Sequence, residues 1–206
     1  MLRIGFWVCV AIGVAIVVRR VLALRRSVAS GGPPELARLD AWFQTLAVLT
    51  FVHILTALAF LFLLPLIFWS RTRRSIFIQR AYYGIGAVVA ITAYAMSAYS
   101  VGGWVERTAV LFFNTLFLTT LGVSFYAWTT GLVEEQRRWT LRSAATVLGI
   151  ATTRPVMGVF FATSRFTHWT PQQFFGPAFW IGFAINVVVM ELWLSKHSTQ
   201  TKGNAL

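Results

Sequence analysis

Charged residues are scarce in this sequence, and acidic residues are the scarcest of all. Asp and Glu together number 6, and charged residues make up 12% of the 206 residues. A soluble domain carries about a quarter charged residues. The composition therefore excludes an ordinary water-facing surface.

Cysteine is almost absent as well. Cys9 is the single cysteine, which excludes an internal disulfide and every metal motif that needs two cysteines. The sequence also contains no phosphate-binding glycine loop and no visible Ser-His-Asp arrangement. We therefore predict that the protein is not an enzyme and binds no metal through such a motif.

Long apolar runs are what the sequence does contain, with 57% hydrophobic residues and a mean hydropathy of +0.69. A helix needs about 20 apolar residues to cross roughly 30 Å of hydrocarbon. Continuous runs, rather than alternating ones, indicate helices instead of barrel strands. We predict an all-α, polytopic transmembrane helix bundle that forms one membrane domain over 1–206. Its six spans are placed at about 3–24, 43–69, 81–101, 108–132, 143–164 and 176–195.

The first span resembles a signal peptide but lacks a cleavage region of small residues after it, so we expect a retained signal anchor. The basic residues that give the chain its net charge of +12 lie mostly between apolar runs. That placement favours anionic lipid headgroups, rather than nucleic acid, as their partner.

The distribution of basic residues predicts the orientation. Six spans place both termini and the links 70–80 and 133–142 on one side, which carries the larger share of Lys and Arg. Because the positive-inside rule holds best for short loops, we predict cytoplasmic termini in a bacterial inner membrane. A basic rim would face the cytoplasm and bind headgroups, with a nucleotide or an acidic protein as the alternative. Its residues are Arg71, Arg73, Arg74, Arg137, Arg138 and Arg142.

Arg154 lies midway along the predicted fifth span and is followed by Pro155. A charge at that depth costs about 2.5–3.5 kcal/mol, so it needs a partner or a wet cavity. Two partners are open: the carbonyl that Pro155 frees one turn back, and Glu191 of the sixth span, which Arg154 would reach by bending towards the cytoplasm. The site would then serve an ion, a proton or an anion, or simply lock two helices together.

Three further polar residues lie within spans: His53, Asn186 and Asn114. A membrane histidine can ligate haem or a pigment, or relay protons. His168 and His197 are poorly placed to form a bis-His site with His53. His53 would therefore either bind a five-coordinate haem or pigment or donate a hydrogen bond to a neighbouring helix, and the latter would need no cofactor.

The third span carries a stripe of small residues at helical spacing: Gly86, Ala90, Ala93 and Ser97. Such a face lets another helix approach closely. The partner helix is either internal or part of another subunit.

Four local features together resemble a bacterial family of predicted polytopic membrane proteins known only as a domain of unknown function. They are His53 with Pro65 twelve residues later, Gln79-Arg80, the Arg-Arg-Trp-x-x-Arg-Ser stretch at 137–143, and Thr153-Arg154. The resemblance covers residues 50 to 160. The family pattern has histidines where this chain has Gln79 and Gln136. The resemblance therefore implies a degenerate member that has lost any cofactor held by those histidines.

Three functions follow as hypotheses. The first is a non-catalytic accessory subunit that contacts other subunits of a larger membrane complex, an energy-converting (respiratory or photosynthetic) one being a plausible host. The second is a small transporter or channel that uses Arg154, Glu191 and His53. The third is a membrane redox protein that binds haem or a quinone at His53.

Overall fold

The computed structural model describes residues 2–25, 46–68 and 75–203, and six long helices make up nearly all of this part. All six are long and apolar enough to cross a membrane, which confirms the prediction of an all-α, six-span bundle. The helices are α1 (Leu2–Arg25), α2 (Ala47–Phe68), α3 (Ile76–Ser97), α4 (Gly103–Thr129), α5 (Val133–Thr167) and α6 (Pro171–Gly203).

Successive helices run in alternating directions. The start of α1 and the end of α6 therefore lie at one end of the bundle, which we call the terminal end. The turns 98–102 and 168–170 lie at the opposite end, which we call the far end. The α4–α5 turn at the terminal end contains Gly131 with φ +75°, a left-handed conformation that glycine adopts without strain.

Three apolar clusters hold the described helices together, and the third is a small one around Met190 between α5 and α6. The largest includes residues of all five helices from α1 through α5 in the terminal half, with Phe60, Leu64 and Tyr82 fully buried at its centre. The rings of Phe60 and Tyr82 stack with their centroids 4.9 Å apart. Another joins α5 to α6 in the far half around Phe174. Close packing of this kind is the main source of attraction between helices in lipid.

Glycines bring α5 and α6 into their close contact, the largest between any two described helices. A Cβ at Gly182 would lie 2.6 Å from the backbone nitrogen of Thr153, and one at Gly149 would lie 2.4 Å from the ring of Phe183. Both positions therefore require the absence of a side chain.

The small-residue stripe of the third span packs inside the bundle. A Cβ at Gly86 would meet Leu121 of α4 and Phe60 of α2. Ala90 and Ser97 are buried, and Ala93 is half-buried. The helices that pack against the stripe at Gly86 therefore belong to this chain.

Two predicted boundaries are wrong by a wide margin. The segment 133–142 was predicted as a loop, but α5 begins at Val133. Its first turn carries Glu134 and Glu135, which favour a helix N-terminus and lie 3.9 Å from Arg137 and Arg138 respectively. The polar tail was likewise expected to follow the sixth span at 195, yet α6 continues to Gly203.

Gly182→Ala should destabilise the bundle by about 1–3 kcal/mol, because the added methyl group would overlap backbone atoms that cannot move independently. Gly158→Ala is the matched control, since nothing lies within 4 Å of a Cβ at that position of α5. Reversible unfolding in detergent micelles measures both changes. Equal stabilities of the two variants would contradict the α5–α6 contact described above.

Candidate functional site

A network of uncharged side chains links α3, α4 and α5 in the terminal half. Gln136 donates from Nε2 to Gln79 Oε1 at 2.9 Å and to the Tyr83 hydroxyl at 3.2 Å. The Tyr83 hydroxyl lies 3.0 Å from Ser124 Oγ, which lies 2.8 Å from Thr140 Oγ1. Because a buried polar group without a partner is costly, the network fixes the three helices relative to one another.

The two glutamines of this network were predicted to lie in loops, and that placement is wrong. Gln79 and Gln136 are buried residues of α3 and α5. They are also the two positions at which the resembled family pattern has histidines, and the fold makes them direct neighbours. Hydropathy alone gave no sign of this contact, and only the Arg-Arg-Trp resemblance drew attention to the two positions.

Glu191 pairs with Arg142, not with Arg154. Arg142 donates from Nε to Glu191 Oε1 at 2.6 Å and from Nη2 to Oε2 at 2.9 Å. The guanidinium also lies over the Trp139 ring, 4.5 Å from its centroid. Arg142 was predicted to belong to the headgroup rim, but its guanidinium turns onto α6 and cross-links α5 to that helix.

The rest of the predicted rim is only partly described. Arg137 and Arg138 are 54% and 40% exposed, so they remain available to headgroups. Arg71, Arg73 and Arg74 lie outside the described residues. Headgroup binding by this rim stays a prediction.

Arg154 lies half-buried between helices in the far half of α5, and its environment differs from the predicted one. Its Nη1 donates to the Met157 sulfur at 3.6 Å, which directs the side chain towards the far end. Its Nε is buried and has no hydrogen-bond partner in the described part of the chain. A thioether is a weak acceptor, so the guanidinium is poorly satisfied.

The charges that act on Arg154 are those of Arg20, Glu106 and Arg19. Glu106 is buried near the start of α4, and its Oε2 accepts the backbone N–H of Gly102 at 2.6 Å. Sequence reasoning missed Glu106 because it falls in the turn before the predicted fourth span. The helix in fact begins at Gly103 and carries this carboxylate into the bundle.

His53 contacts α3. Its Nδ1 lies 2.8 Å from Thr92 Oγ1, and that hydroxyl also lies 2.8 Å from the Val88 carbonyl oxygen. If the single hydroxyl proton of Thr92 goes to the carbonyl, Nδ1 of His53 is the donor and its Nε2 carries a lone pair. This arrangement matches the expected hydrogen bond to a neighbouring helix.

The two asparagines serve as further cross-links. Asn114 donates to the Ala90 carbonyl oxygen at 2.9 Å, which joins α4 to α3. Asn186 accepts a hydrogen bond from Thr152 at 2.8 Å, which joins α6 to α5. Cys9 of α1 lies 3.9 Å from the same threonine hydroxyl.

The predicted site residues do not gather in one place. His53 contacts α3, Glu191 pairs with Arg142, and no contact among His53, Glu191 and Arg154 occurs within the described ranges. No group of His, Cys, Asp and Glu suited to a metal ion is found there either. Comparison of the chain with protein-family models, characterised proteins and solved structures gives no match.

Gln136→Leu should lower the free energy of unfolding by about 1–2 kcal/mol, since it strips the Gln79 oxygen of its donor while preserving volume. Gln172→Leu, at an exposed position near the start of α6, is the control and should have little effect. Equilibrium unfolding in detergent compares the two. A Gln136→Leu variant as stable as its control would show that the network does not hold the helices.

Proposed function

We propose that the chain is a non-catalytic accessory subunit of a larger membrane protein complex. The observation that carries the proposal is the incomplete satisfaction of Arg154. A guanidinium in lipid needs an acceptor. Among the described residues, the Arg154 guanidinium donates to the Met157 sulfur, and its Nε has no partner. An acceptor supplied from outside the chain would complete the site.

Several other polar side chains support a scaffold role. Gln136, Asn114 and Asn186 each bond to a neighbouring helix, and Arg142 is bonded to Glu191. The hydrogen-bonding groups of these side chains therefore serve to hold neighbouring helices together. A bundle fixed in this way is suited to presenting a rigid surface to other subunits.

The partner at Arg154 should offer a carboxylate. The charges of Arg19, Arg20 and Glu106 act on Arg154, and the Glu106 carboxylate also accepts the backbone N–H of Gly102. A carboxylate is the acceptor that best matches a guanidinium, and a buried charge pair between helices fixes their register. An acidic residue on a transmembrane helix of another subunit meets both requirements.

We further infer a bacterial inner membrane with both termini in the cytoplasm. The support is the basic character of the short links at the terminal end together with exposed Arg137 and Arg138. A respiratory or photosynthetic complex is the host we propose, and the subunits that accompany the chain would identify it.

Arg154→Gln should reduce recovery of the partner subunits at least about tenfold, because truncating one member of a buried charge pair costs about 2–5 kcal/mol. The measurement is affinity isolation of the tagged chain from its native membrane in mild detergent, with quantification of the accompanying subunits. The variant chain should keep its helix content and its melting temperature within a few degrees.

Arg137→Gln is the matched control, since Arg137 is exposed at the terminal end, and its partners should be recovered in full. A native chain that is isolated alone and monodisperse would refute the subunit proposal. So would an Arg154→Gln variant that retains every partner.

A membrane redox protein is the second candidate, and the geometry of His53 favours it. The hydrogen bond between Nδ1 and Thr92 orients the imidazole. Histidine ligands of haem and metals are commonly held by such a bond on their other nitrogen. In this candidate, Nε2 would bind a haem or pigment or accept a hydrogen bond from a quinol.

If this candidate is correct, particles isolated from the native membrane should absorb visible light, and His53→Ala should abolish the absorption. His197→Ala is the control, because His197 stacks on Trp193 in α6, away from His53, and its variant should keep the colour. A colourless particle from which no quinone can be extracted would reject the candidate.

The transporter hypothesis receives less support from this geometry. Its three residues were expected to line one path, whereas each has separate partners on separate helices.

A further inference from the structure

A crevice between α4, α5 and α6 has the features of a built amphiphile site. It encloses about 240 Å³. Leu116, Ala145, Val187 and Met190 line it together with Thr120 and Thr146, whose hydroxyls donate to carbonyls of their own helices. The Arg142–Glu191 pair and Trp139 form its charged end. The crevice is independent of the Arg154 surroundings on which the proposed function rests.

Polar and apolar parts of the crevice are ordered along the membrane normal. Arg142 lies nine residues into α5, close to where its apolar stretch begins, and the neighbouring Trp139 is of the residue type that favours the interface. Ala145 on α5 and Val187 on α6 lie further from the terminal end than the charged pair does. A ligand that fills the crevice therefore needs a polar head at the interface and an apolar chain below it.

The charged pair selects the kind of head. Arg142 has five N–H donors and uses two on Glu191, so three remain for an acceptor such as phosphate. Glu191 is 48% exposed, and its oxygens have lone pairs left for a donor such as an ammonium. A positive and a negative group side by side match a zwitterion better than an anion, because an anionic head would be repelled by Glu191.

A primary ammonium fits better than a quaternary one. Glu191 can accept hydrogen bonds from a primary ammonium, whereas a quaternary ammonium has no N–H to donate. The aromatic face that would attract a quaternary group is that of Trp139, and the Arg142 guanidinium already covers it.

We propose that this crevice binds a phosphatidylethanolamine molecule, with its phosphate on Arg142, its ammonium on Glu191 and one acyl chain along Val187 and Leu116. The ion pair keeps its internal hydrogen bonds, and the headgroup uses the donors and acceptors left over. The lipid would thus join α4, α5 and α6 at the terminal end.

The test uses the purified, delipidated full-length chain in detergent. Its melting temperature and lipid retention in native mass spectrometry are measured with phosphatidylethanolamine, phosphatidylglycerol and phosphatidylcholine of identical acyl chains. We expect phosphatidylethanolamine to bind at least about tenfold more tightly than the other two, the ratio that one charge-assisted hydrogen bond supplies. Equal binding of all three lipids would overturn the proposal.

Glu191→Gln should remove the preference for phosphatidylethanolamine over phosphatidylglycerol. Val187→Phe should reduce retention of phosphatidylethanolamine about tenfold by filling the crevice without touching the ion pair, so it tests the site even if the charge variant misfolds. Val188→Phe is its matched control, because Val188 is 54% exposed on the outer surface. Equal retention by the two phenylalanine variants would refute the acyl-chain site.

The water-soluble headgroup glycerophosphoethanolamine distinguishes a lipid from a free zwitterion. The proposal expects it to raise the melting temperature little, since it leaves the apolar crevice empty. A full shift with this headgroup alone, unchanged in Val187→Phe, would overturn the lipid assignment in favour of a soluble zwitterionic ligand.

Discussion

Hydrocarbon supplies no hydrogen bonds, and this constraint governs how the six helices are arranged. Gln79, Asn114 and Asn186 each lie on a different helix, and each makes its hydrogen bond to a neighbouring helix. Apolar packing between helices competes with equally apolar lipid and is weakly selective. The polar contacts therefore specify which helices are neighbours and in what register, while glycines such as Gly182 permit the close approach that the register requires.

Depth in the membrane decides which charges pair. The helix next to Glu191, α5, carries both Arg142 and Arg154. Arg142 is the one that lies at the depth of Glu191. Arg154 lies twelve residues further along α5, about 18 Å at 1.5 Å per residue. A side chain cannot span that distance, so Arg154 turns towards the far end and Met157. The two ends of α5 thus have different electrostatic surroundings although each carries an arginine.

Much of the fold could be predicted from the sequence because hydropathy reports burial in lipid directly. The same signal failed at Val133 and Ser195, where α5 and α6 continue as helices beyond the apolar stretch. Hydropathy also did not identify which side chains contact one another. Gln136 and Glu106 were assigned to loops, yet both are buried polar residues. Partner choice depends on how helices rotate and tilt against one another, and a single sequence contains little information about either. The stripe at Gly86 was visible as a packing face, but its partners Leu121 and Phe60 were not.

The described carboxylates are distributed unevenly between the two ends of the bundle. Of the four acidic residues in the described ranges, Glu134, Glu135 and Glu191 pair with arginines towards the terminal end. Glu106 alone lies at the far end, and a backbone N–H engages it. Each of these three carboxylates at the terminal end is thus paired with an arginine, although basic residues outnumber acidic ones in the sequence at that end. At the far end, the Nε of Arg154 has no hydrogen-bond partner among the described residues. In the two proposals the lipid and the partner subunit would both contact α5, but about 18 Å apart along that helix, so neither contact would exclude the other.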